Sequence, residues 1–350
     1  HTPLYPAERL GQSIGLRNLY LKDDTINPSA SSKDRASAFA VMRALDSGAE
    51  TIAVASTGNA GSSLACVAAA AGIKAVVFVP ESAPVAKLTQ ALSFGATVLA
   101  VRGSYDDAFE ICLSAASEFG WFNRSTGINP FTREGKKICA WEIWASLDGR
   151  VPDRVVVPTG DGNLLSAMWK GWWELKAVGL IDRLPKIDCA QSLGSAAISR
   201  TVHRIRNSES TNVRWSAVDV ETVNASTVAD SISVDRPRDG LAAVRAIIES
   251  GGEAIAVPDA DILAAIPEMA SLSGVFPEPA AAAPWAAVKQ LVSDGKIAAD
   301  ELVVCLVSGN GLKDVAAAQS AVGQPQLIDL SLDAVKAAVF DNRPAPGRKR

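Results

Sequence analysis

Along most of the chain, short runs of consecutive apolar residues alternate with longer stretches whose apolar positions recur at helical spacing, with small polar residues between them. The first run, 16–21, reads as a strand. From Asp34 the pattern turns helical as far as Ser47, with Ala36, Phe39, Ala40, Met42 and Leu45 mostly on one face. Residues 51–55 predict a short buried strand that stops at Ser56-Thr57-Gly58-Asn59-Ala60-Gly61, before an alanine-rich helix to Ala71. The unit recurs, with strands at 75–79 and 97–101 and helices at 85–94 and 105–119. Such alternation predicts parallel sheets covered by helices on both faces.

A second series follows Trp121. Residues 129–137, Asn-Pro-Phe-Thr-Arg-Glu-Gly-Lys-Lys, read as a charged loop before a helix at 138–147. A strand at 154–157 enters the turn Pro158-Thr159-Gly160-Asp161-Gly162-Asn163, and a helix runs over 164–177. Further strands are expected at 187–190, 254–257 and 302–307, the last entering Ser308-Gly309-Asn310-Gly311. The polar, weakly periodic segment 208–240 reads as loop and short helix. Past Val322, a strand-like 326–330 and a helical 332–340 look peripheral, and the basic tail 342–350 has the composition of a disordered segment.

Composition narrows the function. A chain of 350 residues, 48% hydrophobic, can bury a sizeable core, and its length suggests two lobes. A net charge of -4 gives no basic excess for nucleic acid or a membrane surface. The alanine-rich stretch 65–79 is broken by Gly72 and Lys74, so no spanning helix is expected. Five cysteines without Cys-x-x-Cys spacing predict reduced thiols, no metal site and a cytoplasmic setting. The two histidines, His1 and His203, leave little room for a Ser-His-Asp triad.

The stretch Asn27-Pro28-Ser29-Ala30-Ser31-Ser32-Lys33-Asp34-Arg35 ends on a lysine at the mouth of a helix. The positive end of the helix dipole, Arg35 and burial would each disfavour an ammonium there. A lysine that loses its proton readily is a nucleophile, used most often in Schiff bases with carbonyls, pyridoxal phosphate included. A lone lysine is nonetheless more often a solvated surface group. Strands ending at Ser56, Thr159 and Ser308 strengthen the sharper interpretation, because ligands collect at the carboxyl ends of parallel strands. The Gly160–Asn163 turn before a helix suits a phosphate, although by itself it is as readily an ordinary tight turn. The Ser56–Ala60 turn suits a carboxylate, and Ser308 and Asn310 suit either turn chemistry or polar contact with a cofactor ring.

Taken together, the Lys33 stretch, the Ser-Thr-Gly-Asn turn at 56–59, the Asn-Pro and Glu-Gly-Lys-Lys elements at 129–137, the Gly-rich turn at 160–163, Phe276-Pro277-Glu278-Pro279-Ala280 and Ser308-Gly309-Asn310-Gly311-Leu312-Lys313-Asp314 resemble the threonine synthase family of pyridoxal-phosphate enzymes of fold type II. The motifs run in the family's order from Thr2-Pro3-Leu4 to about Asp314. The resemblance implies an α/β fold of two doubly wound lobes with the cofactor in the cleft between them: a large cofactor-binding lobe of residues 1–38 and 126–330, a small mobile lobe of 39–125, and a peripheral 331–350. It implies Lys33 as Schiff-base lysine and proton carrier. Gly160, Asp161, Gly162, Asn163 and Leu164 would hold the cofactor phosphate, Asn59 would face the ring hydroxyl and Ser308 the pyridine nitrogen. Ser56, Thr57, Gly58 and Asn59 would take the substrate carboxylate, with Ser31, Arg133, Lys136 and Lys137 as phosphate contacts. The implied reaction is γ-elimination of phosphate from O-phospho-L-homoserine, an amino-acid phosphate, and addition of water at Cβ to give threonine, in a homodimer.

Three positions depart from the family's pattern. Ala30 stands for a glycine, Ser32 for a phenylalanine, and Thr132 where an arginine is common. These positions bear on the substrate phosphate more than on the cofactor. They leave open β-elimination or β-replacement on serine, threonine or O-phosphoserine with the same cofactor, and a non-catalytic paralog that binds a phosphorylated metabolite.

Overall fold

The computed structural model describes residues 1–83, 85–208 and 213–341. Ten strands are present among them: β1 (Leu4–Pro6), β2 (Asn18–Asp23), β3 (Thr51–Ala55), β4 (Lys74–Pro80), β5 (Thr97–Val101), β6 (Phe122–Asn123), β7 (Arg154–Pro158), β8 (Lys186–Ser192), β9 (Ala254–Val257) and β10 (Leu302–Val307). They form two sheets, ordered β1-β2-β10-β7-β8-β9 and β5-β4-β3-β6. Every pairing is parallel except that of β1 with β2.

Side chains alternate across a strand, so a strand buried on both faces feeds two cores. Val303, Cys305 and Val307 of β10 pack into one cluster with Leu19, Leu21, Met269 and Trp285. Val304 and Leu306 pack on the other face with Ile143, Val155, Val157 and Trp172. The smaller sheet divides in the same way, with Ile52, Val54, Val77 and Val79 on one face and Ala53, Ala55, Val76 and Phe78 on the other. This double-sided burial is why the sequence shows unbroken apolar runs there rather than alternation. The fold is α/β and doubly wound in both sheets.

The charged stretch at 129–137 is helix rather than loop, and the helix runs over Phe131–Ser146. Asn129 starts it: its side-chain oxygen accepts the Phe131 N–H at 2.9 Å, and its carbonyl accepts the Thr132 hydroxyl at 2.8 Å. Gly135, which resembles a breaker in the sequence, is there for packing. A Cβ at this position would lie 1.9 Å from the carbonyl oxygen of Arg35, on the helix Lys33–Asp46. Gly135→Ala is therefore expected to push the two helices apart and cost about 3 kcal/mol of stability. Urea unfolding checks this, and an unchanged midpoint would mean that the helices can separate freely.

Residues 326–330 form no strand; Leu327 and Leu330 project into solvent with nothing to pair against. A short helix follows at Leu332–Lys336. The tail 342–350 lies outside the described residues. Within 213–239 there are only short turns at Trp215–Ala217 and Asp230–Ile232, yet this segment covers the site described next.

Candidate active site

A cavity of about 1120 Å³ gathers residues that follow strand ends in both sheets: Ser56 after β3, Arg124 and Ser125 after β6, Thr159 and Gly160 after β7, and Ser308 after β10. Lys33 lines the same cavity, and the segment 218–238 contributes Ser231, Asp235 and Arg238. The carboxyl ends of parallel strands thus meet here, as expected for open α/β sheets.

Lys33 is the first residue of the helix Lys33–Asp46. The loop before it is stitched to the turn after β10: Ser32 N–H donates to the Ser308 carbonyl at 2.8 Å, and Asn310 N–H to the Ala30 carbonyl at 3.1 Å. Ala30 adopts φ +63°, the left-handed region where a Cβ costs about 1–2 kcal/mol. That is the position where the resembling family carries glycine. Ser31 is fully buried and its hydroxyl accepts the Lys33 N–H at 3.4 Å; it braces the loop and does not line the cavity.

Burial is the largest influence on the Lys33 amine and lowers its pKa; Glu278 opposes this, Arg124 adds to it, and Asp161 and Asp24 oppose it again. Arg35 does not act on the amine in the expected way. Its guanidinium is committed to Asp24, through Nε at 2.8 Å, and to Glu142, through Nη2 at 2.6 Å. Glu142 also receives Lys22 Nζ at 2.6 Å, and Lys22 is fully buried. This cluster ties β2 and the helix Phe131–Ser146 to the helix that Lys33 begins. Burial pushes the Glu142 carboxyl up, but the hydrogen bonds and charges of Arg35 and Lys22 outweigh it and hold the pKa at about 2.

Gly160, Asp161, Gly162, Asn163 and Leu164 all line the cavity, at the start of the helix Asn163–Ala177. No side chain caps that helix, so its first-turn N–H groups stay available to an anion. The glycines are required by what lies behind them. A Cβ on Gly160 would sit 2.8 Å from Ile232 Cα, and Gly162, at φ +91°, would place one 2.8 Å from the Asp239 carbonyl. The Asp161 carboxyl turns aside to accept the Arg238 N–H at 2.6 Å; burial raises its pKa, with Asp239 adding to the rise.

Of the turn Ser56–Asn59, only Ser56 lines this cavity, while Gly58 and Asn59 line a second one of about 450 Å³ that shares Ser231 with it. Thr57 lines neither. The Asn59 side-chain amide donates to both Glu278 oxygens, at 2.9 and 3.1 Å, and to the Ser231 hydroxyl at 3.2 Å. Glu278 reaches it because Gly309 has no side chain; a Cβ there would lie 2.4 Å from Glu278 Oε1.

The helical conformation of 131–146 redistributes the expected phosphate contacts. Successive residues of a helix are turned about 100° from one another, so Lys136 and Lys137 point in different directions. Lys137 lies outside the cavity, paired with Glu134 at 2.6 Å and Glu174 at 3.0 Å over the Trp141 ring. Arg133 is bound to Asp239 and does not line the cavity either. Lys136 does line it, 3% exposed, with Nζ 2.5 Å from Asn163 Oδ1. The sequence reading missed Arg124, which is fully buried and lines the cavity. Its only signal is an arginine directly after the apolar stretch that ends in β6.

This donor set fits pyridoxal phosphate. A buried amine of lowered pKa can meet an aldehyde, an uncapped helix start can hold a phosphate, and Ser308 lines the same cavity with a hydroxyl to offer. Among proteins of known structure, maize serine racemase superposes with a TM-score of 0.76 at 19% identity, covering 91% of each chain. Threonine deaminase isoform 2 from Solanum lycopersicum superposes with a TM-score of 0.75 at 21% identity, covering 92% of this chain and 87% of that one. At such identities the likeness speaks for the fold. In sequence, the threonine synthase of Methanosarcina acetivorans is 39% identical over 340 residues, 97% of this chain and 81% of that protein. The threonine synthase of Methanocaldococcus jannaschii is 38% identical over 336 residues, 96% of this chain and 80% of that protein. The model of the pyridoxal-phosphate dependent enzymes matches residues 1–309. With a family match over most of its length and a site whose donors suit that cofactor, this chain belongs to the pyridoxal-phosphate dependent enzymes.

Proposed function

We propose that this chain is a threonine synthase, a lyase that converts O-phospho-L-homoserine and water to L-threonine and phosphate. The observation that carries the proposal is one cavity lined by the Lys33 amine, the uncapped start of the helix Asn163–Ala177 and Ser308, in a chain whose relatives at 35–39% identity bear that name. Pyridoxal phosphate, when bound, supplies the electron withdrawal that makes the substrate's Cα and Cβ protons acidic. The residues of this chain do the rest. Backbone amides of Gly160–Leu164 would hold the cofactor's phosphate, and Ser308 would serve its ring nitrogen. The turn Ser56, Thr57 and Gly58, of which Ser56 lines the cavity, would take the substrate carboxylate, and Asn59, held by Glu278, would serve the ring hydroxyl. Lys33 takes and returns protons at Cα and Cβ, a task suited to an amine whose burial lowers its pKa.

The division into a large lobe, 1–38 with 126–330, and a small mobile lobe, 39–125, is part of the proposal. In its support, β3 to β6 form a separate sheet within 51–123 with cores of its own. The helix Lys33–Asp46 crosses the boundary. Among the described residues no helix is long and apolar enough to cross a membrane. Five buried, unpaired cysteines favour a reducing compartment, hence the cytoplasm. The homodimer follows from the family resemblance.

The test is to supply O-phospho-L-homoserine to the cofactor-loaded protein and measure phosphate and threonine together. Equal amounts of each are expected. Release of ammonia with an oxoacid instead, or no phosphate at all, overturns the proposal.

A further inference from the structure

The two sheets are separate, so contacts between their layers decide how the turn Ser56–Asn59 faces the Lys33 loop. One such contact is made by Lys313, which lies outside the active cavity. Its loop, after β10, is fastened on its own side: Gly311 N–H donates to the Phe276 carbonyl at 2.9 Å, and the Asn310 side chain accepts the Leu312 N–H at 2.9 Å. From this base the amine reaches helices of the smaller sheet. Lys313 Nζ donates to Ser62 Oγ at 3.0 Å, on the helix Asn59–Ala71, and to Gln90 Oε1, on the helix Val85–Ser93. Gln90 Nε2 donates in turn at 3.2 Å to the carbonyl of Ser29, in the loop that leads to Lys33. The amide can face only one way here, because an ammonium only donates and a carbonyl only accepts. The Ser62 hydroxyl extends the contact to the Asn59 carbonyl at 3.4 Å. Three stretches thus meet at one amine: the loop after β10, the start of the helix after β3, and the Lys33 loop. Lys313, Gln90 and Ser62 all line the cavity of about 450 Å³, so they span a gap instead of filling a core. Among the described residues Lys313 forms no ion pair; burial lowers its pKa, and Glu278 and Asp34 oppose this from a distance.

We propose that Lys313 is a positioning residue: with Gln90 and Ser62 it forms a clamp across the second cavity that sets the turn Ser56–Asn59 against the Lys33 loop. The clamp rests on the threonine synthase reading and deepens it, since that turn would take the substrate carboxylate while Lys33 moves the protons, and small misplacements between binding and reacting groups are costly. Hydrogen bonds from an ammonium to neutral acceptors are weaker than a buried ion pair, so the clamp can open and re-form as substrate comes and goes. On the other flank Arg238, in the segment that covers the active cavity, lies 3.8 Å from the Phe109 ring centroid, on the helix Tyr105–Glu118. Loss of the clamp therefore loosens one side of the smaller sheet's layer and leaves the other side attached.

The experiment uses the cofactor-loaded protein and reads KM and kcat for O-phospho-L-homoserine, cofactor affinity, and amide hydrogen exchange without substrate. Lys313→Met keeps the length of the stem and removes the donors. It is expected to raise KM by about tenfold or more, with a smaller change in kcat. Exchange should quicken at residues 56–62 and stay as in the wild type in β7 and β10, as should cofactor affinity. Gln90→Leu, a change on the partner, should shift KM and exchange in the same direction, and it keeps the proposal testable if Lys313→Met does not fold. Because the two side chains act as one clamp, the double variant should be no worse than Lys313→Met alone. Lys313→Arg, which retains charge and donors, should restore most of the KM. Unchanged KM and exchange in the single variants would overturn the proposal, and so would additive losses in the double variant. Faster exchange throughout both sheets would reduce Lys313 to a general contribution to stability and overturn it too. Absence of turnover in the wild type overturns the threonine synthase reading instead, and exchange at 56–62 in the variants still decides whether the clamp exists.

Discussion

Lys33→Ala is expected to abolish turnover, with a loss on the order of 10⁴-fold or more, since removing a group that acts in every chemical step leaves only binding and orientation. The amine cannot be replaced from nearby. Lys136 lines the same cavity, but its Nζ is bonded to Asn163 and its place is one turn into a different helix. The variant should also lack the visible absorbance expected of the wild type with pyridoxal phosphate, while keeping its fold, because the loop is bonded to the Ser308 turn through the backbone of Ser32 and Ala30. Turnover and absorbance spectra of the purified variant check both points. A variant within tenfold of wild type would remove Lys33 from the chemistry.

The largest expected effect on stability belongs to Glu142→Gln. Glu142 receives Arg35 Nη1 at 3.0 Å, Arg35 Nη2 at 2.6 Å and Lys22 Nζ at 2.6 Å. Asp24 would still serve Arg35, but Lys22, fully buried, would lose the carboxylate it pairs with and keep only neutral acceptors, the Thr2 carbonyl and the new amide oxygen. Breaking one side of such a buried cluster costs about 3–5 kcal/mol. The pH dependence has a defined sign. Glu142 is held at about 2, below its ordinary 4.5, so its contribution is fully present above about pH 4.5 and is lost as pH falls through about 2. Acid titration of unfolding should show that slope in the wild type and not in the variant. A difference below about 1 kcal/mol in urea would mean that Lys22 finds water or another partner, as exposed pairs do.

The parallel α/β units were legible because buried strands give unbroken apolar runs; β3 at 51–55 and β5 at 97–101 stand where the sequence predicts them. Lys33 at a helix start and the turns after β3, β7 and β10 were legible for the same reason: strand, polar turn and helix follow one another in the chain. The helix over Phe131–Ser146 was not, since its first turns carry Thr132, Arg133, Glu134 and Gly135, whose reasons for being helical are a capping Asn129 and a neighbouring helix far away in sequence. Read as a loop, the segment gives no way to tell Lys136, which lines the cavity, from Lys137, which does not. Residues 218–238 are weakly periodic, because they cover a cavity and place few residues, Ala229 and Ile232 among them, in a core, so their place over the site could not be read from pattern. Arg124 likewise depends on a strand of only two residues, Phe122–Asn123, too short to announce itself.

The thiols of this chain are distributed over its cores. Cys112 belongs to one face of the smaller sheet, Cys139 and Cys189 to one face of the larger, and Cys305 to the opposite face. Burial pushes the pKa of Cys112, Cys139 and Cys189 up to about 12 and raises that of Cys305 as well, so a thiol-directed reagent finds almost no thiolate in the native protein. Covalent labelling at each cysteine therefore counts excursions in which that particular face opens, and the protein carries natural reporters for whether its two sheets come apart together or in turn.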